Sequence, residues 1–170
     1  MRAMSYVAPL ASIALLTLVA VFPWGLPTED RFFLPMLPLV AIHYWSLRQP
    51  ENVPEWGVFL AGLSLDILTH GPLGYWALIY LLAFSLGFLS KPYGQRGQFV
   101  RVALFALALA IVALVAWAVA SLYILEVADW RPFAVGAGCA ALASLLIVPV
   151  LHVLGASKPS PNSSRLERGA

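Results

Sequence analysis

Apolar residues fall into six runs along the chain, separated by short segments that are polar or charged. The runs cover residues 7–24, 32–47, 56–69, 73–90, 99–125 and 133–154. A helix needs about 20 apolar residues to cross the hydrocarbon core of a bilayer, fewer where the bilayer thins and more where the helix tilts. In lipid the backbone must satisfy its own hydrogen bonds, which a helix does within one segment. The pattern therefore predicts an all-α fold, a polytopic membrane helical bundle with six spans.

The break between the third and fourth runs is the least obvious one. As a single helix, residues 56–90 would be about 50 Å long at 1.5 Å per residue, which is too long for one span. His70-Gly71-Pro72 interrupts this stretch near its middle. Glycine suits the position after the end of a helix, and proline suits the first position of the next. We expect a tight helical hairpin, with a fused helix and five spans in all as the alternative.

The basic residues indicate the orientation, because lysine and arginine are enriched in the cytoplasmic segments of membrane proteins. With six spans and the N-terminus inside, eight basic residues are cytoplasmic and two, Arg31 and Arg131, face outwards. With five spans the division is seven against three. The C-terminus is cytoplasmic in both arrangements, and the better division predicts a cytoplasmic N-terminus too. This distribution predicts a multi-pass membrane protein with both termini in the cytoplasm.

Composition agrees with a membrane location and argues against a soluble domain. Hydrophobic residues make up 61% and charged residues 11% of the 170 positions, whereas soluble domains average about 25% charged residues. The net charge of +2 is too small to indicate nucleic-acid binding. We predict a single transmembrane domain over residues 1–155. Residues 156–170 are rich in serine, proline and charge, which predicts a disordered cytoplasmic tail.

Asp66 is the one acidic residue inside an apolar run. An ionised carboxylate in the middle of a bilayer costs about 2.5–3.5 kcal/mol on insertion scales, so Asp66 must face protein or water. Gly62 lies one helical turn before Asp66 and His70 one turn after it, which places all three on one face. Gly57 and Ala61 form a pair of small residues on an adjacent face, where they permit another helix to approach closely.

Two interpretations of Asp66 follow. In the functional one, the carboxylate is a polar anchor that caps the turn, pairs with His70 or binds a ligand. In the structural one, which we favour, it satisfies the free amides at the start of the helix after Pro72. The helix over residues 56–69 would be only about 20 Å long. Either the bilayer is thin at this point, or the turn lies below the membrane surface and is enclosed by protein.

The candidate chemistry argues against an enzyme. His43, His70 and His152 fall in different parts of the sequence, and none belongs to a metal-binding motif such as H-E-x-x-H. No nucleophile elbow and no phosphate-binding loop occurs in the sequence. We therefore predict no catalytic residue, no metal site and no cofactor. Residues 94–97 form a short basic turn that would contact anionic lipid head groups.

Two prolines, Pro35 and Pro38, lie near the start of the second apolar run. Proline lacks an amide donor and kinks or breaks a helix, but it is tolerated in the first turn. Both prolines are near the end that would face outwards, so a helix that begins late is the expected result.

Several segments of the first half resemble the MreD family of rod-shape-determining membrane proteins. They are Pro38, then Tyr44-Trp45-Ser46-Leu47-Arg48-Gln49-Pro50, Phe59-Leu60-Ala61-Gly62-Leu63-Ser64-Leu65-Asp66-Ile67-Leu68 and Gly71-Pro72-Leu73-Gly74. Their order, spacing and surrounding hydropathy are similar to those of the family, and the likeness covers about residues 35 to 80. Gly62, Asp66, Pro72 and Gly74 match motif positions of the family, which implies a structural or partner-contact role for them. We add His70, which is expected on the same helix face as Asp66.

The resemblance implies a non-catalytic scaffold of the cell elongation complex, the elongasome, which maintains rod shape and directs lateral peptidoglycan synthesis. It implies a chain in the bacterial cytoplasmic (inner) membrane that contacts membrane lipid and binds MreC directly. It also implies indirect association with MreB, with RodA and with a penicillin-binding transpeptidase. It also implies a bundle similar to the substrate-binding subunits of energy-coupling-factor transporters. A small-molecule-binding subunit of a vitamin-type transporter is the alternative function, and an intramembrane enzyme is the third hypothesis.

Overall fold

The computed structural model describes residues 3–23, 25, 33–94 and 96–156. Within these residues the backbone forms α-helices and no β-strand, so the predicted all-α fold is confirmed. Each apolar run contains one α-helix. The helices are α1 (Ala3–Val21), α2 (Leu37–Arg48), α3 (Glu55–Leu68), α4 (Tyr75–Gly94), α5 (Gln98–Ile124) and α6 (Arg131–Ala156). The predicted disordered tail, apart from residue 156, lies outside the described residues.

In the described part of the chain, three helical segments are long and apolar enough to cross a membrane: Tyr75–Gly94, Gln98–Ile124 and Arg131–Leu154. The other helices are shorter. α2 and α3 contain 12 and 14 residues, which corresponds to about 18 and 21 Å at 1.5 Å per residue. The hydrocarbon core of a bilayer is about 30 Å thick. The helices therefore indicate a membrane protein in which long apolar helices are combined with short ones.

Consecutive helices run in opposite directions between two ends of the bundle. At one end, which we call the hairpin end, one cavity is surrounded by the last residues of α1, α3 and α5 and by the first residues of α4 and α6. Residues just before α2 complete its wall. At the other end, which we call the basic end, lie Arg48, Lys91, Arg96 and Arg101. Residues 56–90 thus form two separate helices that pack against each other, and the fused-helix alternative is wrong.

The second apolar run forms its α-helix late, as its prolines predict. Residues 33–36 adopt a 3₁₀ conformation, and α2 begins at Leu37 with Pro38 in its first turn, whereas the apolar run begins at residue 32. The carbonyl of Pro35, which has no helical partner, accepts a hydrogen bond from the Tyr80 hydroxyl of α4 at 2.9 Å. The preceding residues 26–32 lie outside the described part of the chain.

α2 and α4 form the centre of the bundle. α2 is buried from Pro38 to Ser46, and it packs against α1, α4 and α6. Two glycines of α4 permit the close approach to α2. A Cβ atom added to Gly87 would collide with the Ser46 side chain, and one added to Gly94 would lie 2.8 Å from Leu47 Cδ1. Small residues therefore set the spacing between the two central helices.

Large apolar side chains cover the outer surfaces of α5 and α6. Leu114 on α5 is 62% exposed and Leu146 on α6 is 77% exposed. Extended apolar surfaces of this kind are rare on soluble monomers and mark contact with a partner or a membrane. Lipid is an apolar solvent that such surfaces can face without cost, which agrees with the lengths of these helices.

α3 and α4 are in backbone contact at Gly62. A Cβ atom added there would lie 2.5 Å from Ala77 Cα and 2.6 Å from Ala77 N. These are backbone atoms, which a rotamer change cannot move away. Gly138 in α6 is a useful comparison, because no atom would lie within 4 Å of a Cβ added at that position.

We predict that Gly62→Ala lowers the free energy of unfolding by about 1–3 kcal/mol, because a methyl group forced between packed helices displaces backbone or side chains. Gly138→Ala is the control, and it should leave stability unchanged or raise it slightly, since alanine favours the helix. Thermal unfolding of both variants in the same detergent measures the difference. Equal midpoints for wild type and Gly62→Ala would contradict the close contact.

Candidate functional site at the α3–α4 hairpin

The carboxylate of Asp66 is fully buried and accepts hydrogen bonds from the start of α4. Asp66 lies in the last turn of α3 with 0% of its surface exposed. Its Oδ1 accepts a hydrogen bond from the Trp76 amide at 2.9 Å. Its Oδ2 accepts one from the Gly74 amide at 2.9 Å and one from the Ala77 amide at 3.5 Å. Since amides at a helix N-terminus are free and carry partial positive charge, a carboxylate is the favoured acceptor there.

Every amide from residue 74 to residue 78 has an acceptor as a result. The Tyr75 amide donates to the Pro72 carbonyl at 3.1 Å, and the first bond within α4 runs from the Leu78 amide to the Gly74 carbonyl at 2.9 Å. The three bonds to Asp66 satisfy the remaining amides. Glycine has no side chain with which to cap the helix that follows it, so Asp66 provides the cap from the neighbouring helix. The favoured structural interpretation of Asp66 is confirmed.

The backbone of Asp66 also completes the end of α3. The Gly71 amide donates to the Asp66 carbonyl at 3.0 Å, and the His70 amide donates to the Ile67 carbonyl at 3.3 Å. His70 has φ 55°, in the left-handed region. This combination is a Schellman motif, which satisfies carbonyls that a helix end leaves free. One residue thus ends α3 with its carbonyl oxygen and begins α4 with its carboxylate.

Two details of the predicted turn are wrong. The left-handed position after α3 is occupied by His70 and not by Gly71; histidine is one of the residues that adopt this conformation more often than most. Pro72 does not occupy the first position of α4, which begins later, at Tyr75. Instead Pro72 begins a β-turn in which Gly74, with φ 90°, takes the position that needs a positive φ in a type II turn.

His70 lies apart from Asp66, because α3 ends at Leu68 before His70 can continue the helical face. The His70 residue is exposed, whereas both carboxylate oxygens of Asp66 are buried and bonded to amides. The shared face predicted for Gly62 and Asp66 is confirmed, since both meet the start of α4. The alternative in which Asp66 pairs with His70 is wrong.

The adjacent small-residue face of α3 packs against α1. A Cβ atom added to Gly57 would lie 2.5 Å from Leu10 Cδ2, and Ala61 is partly buried against the core. The hairpin is therefore held on two sides, by α4 through Gly62 and by α1 through Gly57.

A cavity of about 620 Å³ lies at the hairpin end, beside the turn. His70 and Pro72 line it on the hairpin side, and the rest of its wall is mostly apolar or aromatic. These other lining residues include Phe22, Leu34, Tyr75, Trp76, Tyr123 and Phe133. Asp66 is not among the lining residues. Among the described residues, the cavity therefore offers shape and apolar surface together with His70, but no carboxylate.

His43 is a buried polar residue, and the sequence alone could not show whether its ring nitrogens have hydrogen-bond partners. It is 4% exposed, and neither Nδ1 nor Nε2 has a hydrogen-bond partner in the structure described here. Its ring lies against the Phe105 ring of α5, with the centroids 5.2 Å apart. A polar residue inside an apolar run is the sequence signal that marks such a position. His152, near the end of α6, is exposed.

The polar contacts at the hairpin hold α3 and α4 together. Both oxygens of the buried Asp66 carboxylate accept hydrogen bonds from backbone amides, so its evident role is to cap the start of α4. No group of three or more histidine, cysteine or acidic residues that could hold a metal ion occurs among residues 3–23, 33–94 and 96–156. The site is thus best described as a polar joint between two helices.

Comparisons with protein families, with curated proteins and with solved structures find no significant match to this chain.

We predict that Asp66→Ala destabilises the protein by about 1–3 kcal/mol or more, because the amides of Trp76 and Gly74 would be buried without an acceptor. Asp66→Asn should cost less, since its amide oxygen can still accept one of these bonds. Asp129→Asn is the matched control: Asp129 is exposed and accepts a single amide bond, from Arg131 at 3.1 Å. Unfolding in detergent, followed by tryptophan fluorescence, measures all three. An Asp66→Ala variant as stable as Asp129→Asn would contradict the cap.

Proposed function

We propose that this chain is a non-catalytic membrane scaffold of the bacterial cell elongation complex, as its resemblance to the MreD family implies. In this role it binds MreC directly and helps to direct lateral peptidoglycan synthesis and to maintain rod shape. MreB, RodA and a penicillin-binding transpeptidase associate with it indirectly. The fold likeness to substrate-binding subunits of energy-coupling-factor transporters belongs to the same proposal.

The convergence of the motif positions in the hairpin carries the proposal. Gly62, Asp66 and Gly74 are distant from one another in an extended chain, yet their backbone or side-chain atoms meet at the start of α4. Each of them has a contact that fixes the relative position of α3 and α4. A motif whose members serve a rigid joint is what a scaffold needs, because a partner can recognise a helix surface only if that surface is held in place.

Six spans with a cytoplasmic N-terminus complete the proposal. The alternating helix directions place Arg48, Lys91, Arg96 and Arg101 at the basic end, and Arg131 at the hairpin end. This unequal distribution supports a cytoplasmic basic end, by the rule that basic residues stay inside. Of the two short helices, α2 lies within the bundle, buried from Pro38 to Ser46, whereas α3 lies at its edge, with Leu60 49% exposed. The bilayer would therefore be thin beside α3.

We predict that the tagged full-length chain, extracted from membranes with a mild detergent, recovers MreC. A photo-crosslinking residue placed at Leu60 on α3, Val102 on α5 or Leu146 on α6, which are 49%, 61% and 77% exposed, tests three faces of the bundle. At least one face should crosslink to MreC, because a scaffold presents a fixed helix surface to its partner. A stable, folded chain that yields no component of the elongation complex from any face would contradict the proposal.

A second candidate function, a small-molecule-binding subunit, is favoured by the cavity of about 620 Å³ at the hairpin end. Volumes of 300–1,000 Å³ are typical of ligand sites. Ala120 lines this cavity, whereas Ala110 on the same helix is exposed elsewhere. Native mass spectrometry of Ala120→Phe, with Ala110→Phe as the control, separates the two candidates. A copurifying ligand lost only from Ala120→Phe would establish the carrier, and the scaffold proposal predicts that no such ligand is found.

A further inference from the structure

At the basic end, the facing surfaces of α2 and α5 form a seam, which we define by Tyr44, Arg48, Arg101 and Phe105. α4 and α6 each pack against both of these helices, whereas α2 and α5 make little direct backbone contact. The contact between the His43 and Phe105 rings, with centroids 5.2 Å apart, marks the deepest point of the seam. The seam is therefore a place where side chains of two helices meet with little backbone contact between the helices.

Two arginines lie at the same end of this seam, Arg48 on α2 and Arg101 on α5. α2 runs towards the basic end and α5 runs away from it. Arg101 lies about 6 Å before Phe105 along α5, and Arg48 lies about 7.5 Å beyond His43 along α2, at 1.5 Å per residue. Both are thus about one turn nearer the end of the bundle than the ring contact.

Tyr44 lies between the ring contact and Arg48 along α2. Arg101 lies one helical turn from Phe105 on the same face of α5, and the Phe105 ring contacts that of His43, the neighbour of Tyr44. The guanidinium of Arg48 also lies over the Tyr44 ring, with Cζ 4.9 Å from the ring centroid. Such stacking limits the motion of the arginine and leaves its edge free to donate hydrogen bonds. Arg48 is therefore partly preorganised, and Arg101 carries a second charge at the same end of the seam.

Neither arginine of the seam has an acidic partner in the described part of the chain. Lys91, at the same end, is different because its Nζ lies 3.1 Å from the Glu51 carboxylate. A backbone hydrogen bond at Glu51, and then Lys91, hold the pKa of that carboxyl group below its ordinary value. The other acid at this end is Glu55, in the first turn of α3. The seam thus holds positive charge that no described residue balances.

His43 adds a second unsatisfied group at the base of the same seam. It is 4% exposed, and both of its ring nitrogens lack a hydrogen-bond partner within the residues described. Unpartnered buried polar groups are uncommon in native proteins and point to a missing partner. The two arginines lack an acidic partner, and His43 lacks a hydrogen-bond partner. Together they indicate an anionic ligand with several oxygen atoms.

We propose that the α2–α5 seam binds the head group of an anionic phospholipid, with Arg48 and Arg101 contacting its phosphate. Guanidinium groups donate paired hydrogen bonds to phosphate oxygens, and basic pockets between transmembrane helices bind lipid head groups in this way. A lipid suits the surroundings better than a soluble anion, because the start of α5 also presents Phe99, 86% exposed, and Val102, 61% exposed. These side chains would contact the acyl chains, and the ester oxygens below the phosphate are acceptors of the kind that His43 lacks.

The test is native mass spectrometry of the full chain in detergent, with phosphatidylglycerol and phosphatidylethanolamine of identical acyl chains added in equal amounts. Wild type should bind phosphatidylglycerol preferentially. Arg48→Gln and Arg101→Gln should each lower this preference about fivefold, since a basic side chain near a membrane surface contributes about 1 kcal/mol and 1.4 kcal/mol is tenfold. Lys91→Gln is the matched control, because it removes a charge that Glu51 already balances, and it should leave the preference unchanged.

Several results would overturn the proposal. One is an unchanged preference in the Arg48→Gln/Arg101→Gln double variant, and another is an equal loss in Lys91→Gln, which would indicate a general charge effect. Displacement of the lipid by inorganic phosphate at millimolar concentration would assign the site to a soluble anion instead. If the glutamine variants do not fold, Arg48→Lys and Arg101→Lys replace them. These keep the charge but lose the paired hydrogen bonds, so a preference equal to that of wild type would contradict specific recognition by arginine.

Discussion

A carboxylate can leave water for the interior of a helical bundle only if other donors replace the hydrogen bonds that it loses. Asp66 finds those donors in the amides of Gly74, Trp76 and Ala77. The exchange is mutual, because these amides are themselves unsatisfied at the start of α4 and would be costly to bury alone. The hydrogen bonds therefore stabilise the carboxylate and the start of α4 together. Without the carboxylate the amides would lack an acceptor, and without the amides the buried carboxylate would lack donors.

The geometry of the bundle at the hairpin end depends on this joint. Gly62 lets the backbone of α4 approach α3, which brings the amides within reach of the carboxylate one turn further along. The Schellman motif that ends α3 uses the carbonyl of the same aspartate, so the turn has little freedom to move. The cavity of about 620 Å³ lies beside this turn. A fixed hairpin is thus a consequence of one buried carboxylate.

The sequence predicted the helices well, because proline, glycine and charge are costly inside an apolar helix and therefore mark its ends. It also predicted the role of Asp66, since a lone acid in an apolar run and the free amides after Pro72 each need a partner. The exact conformation of the turn could not be predicted. Gly71 is the better candidate for the left-handed position by local preference, but the structure needs its amide as a donor to Asp66, and His70 takes the left-handed position instead. Whether His43 has a hydrogen-bond partner depends on the packing of α5 against α2, which no local pattern encodes.

Amide hydrogen exchange at the start of α4, in detergent or lipid nanodiscs, tests the central claim most directly. The amides of Gly74, Trp76 and Ala77 belong to a turn and a first helical turn, which exchange rapidly when they face water. If the Asp66 carboxylate accepts their hydrogen bonds in a buried joint, they should exchange as slowly as the amide of Ala83 in the middle of α4. Exchange as fast as that of the exposed connection around Val127 would show that the carboxylate does not hold the helix start, and the account of the hairpin would be wrong.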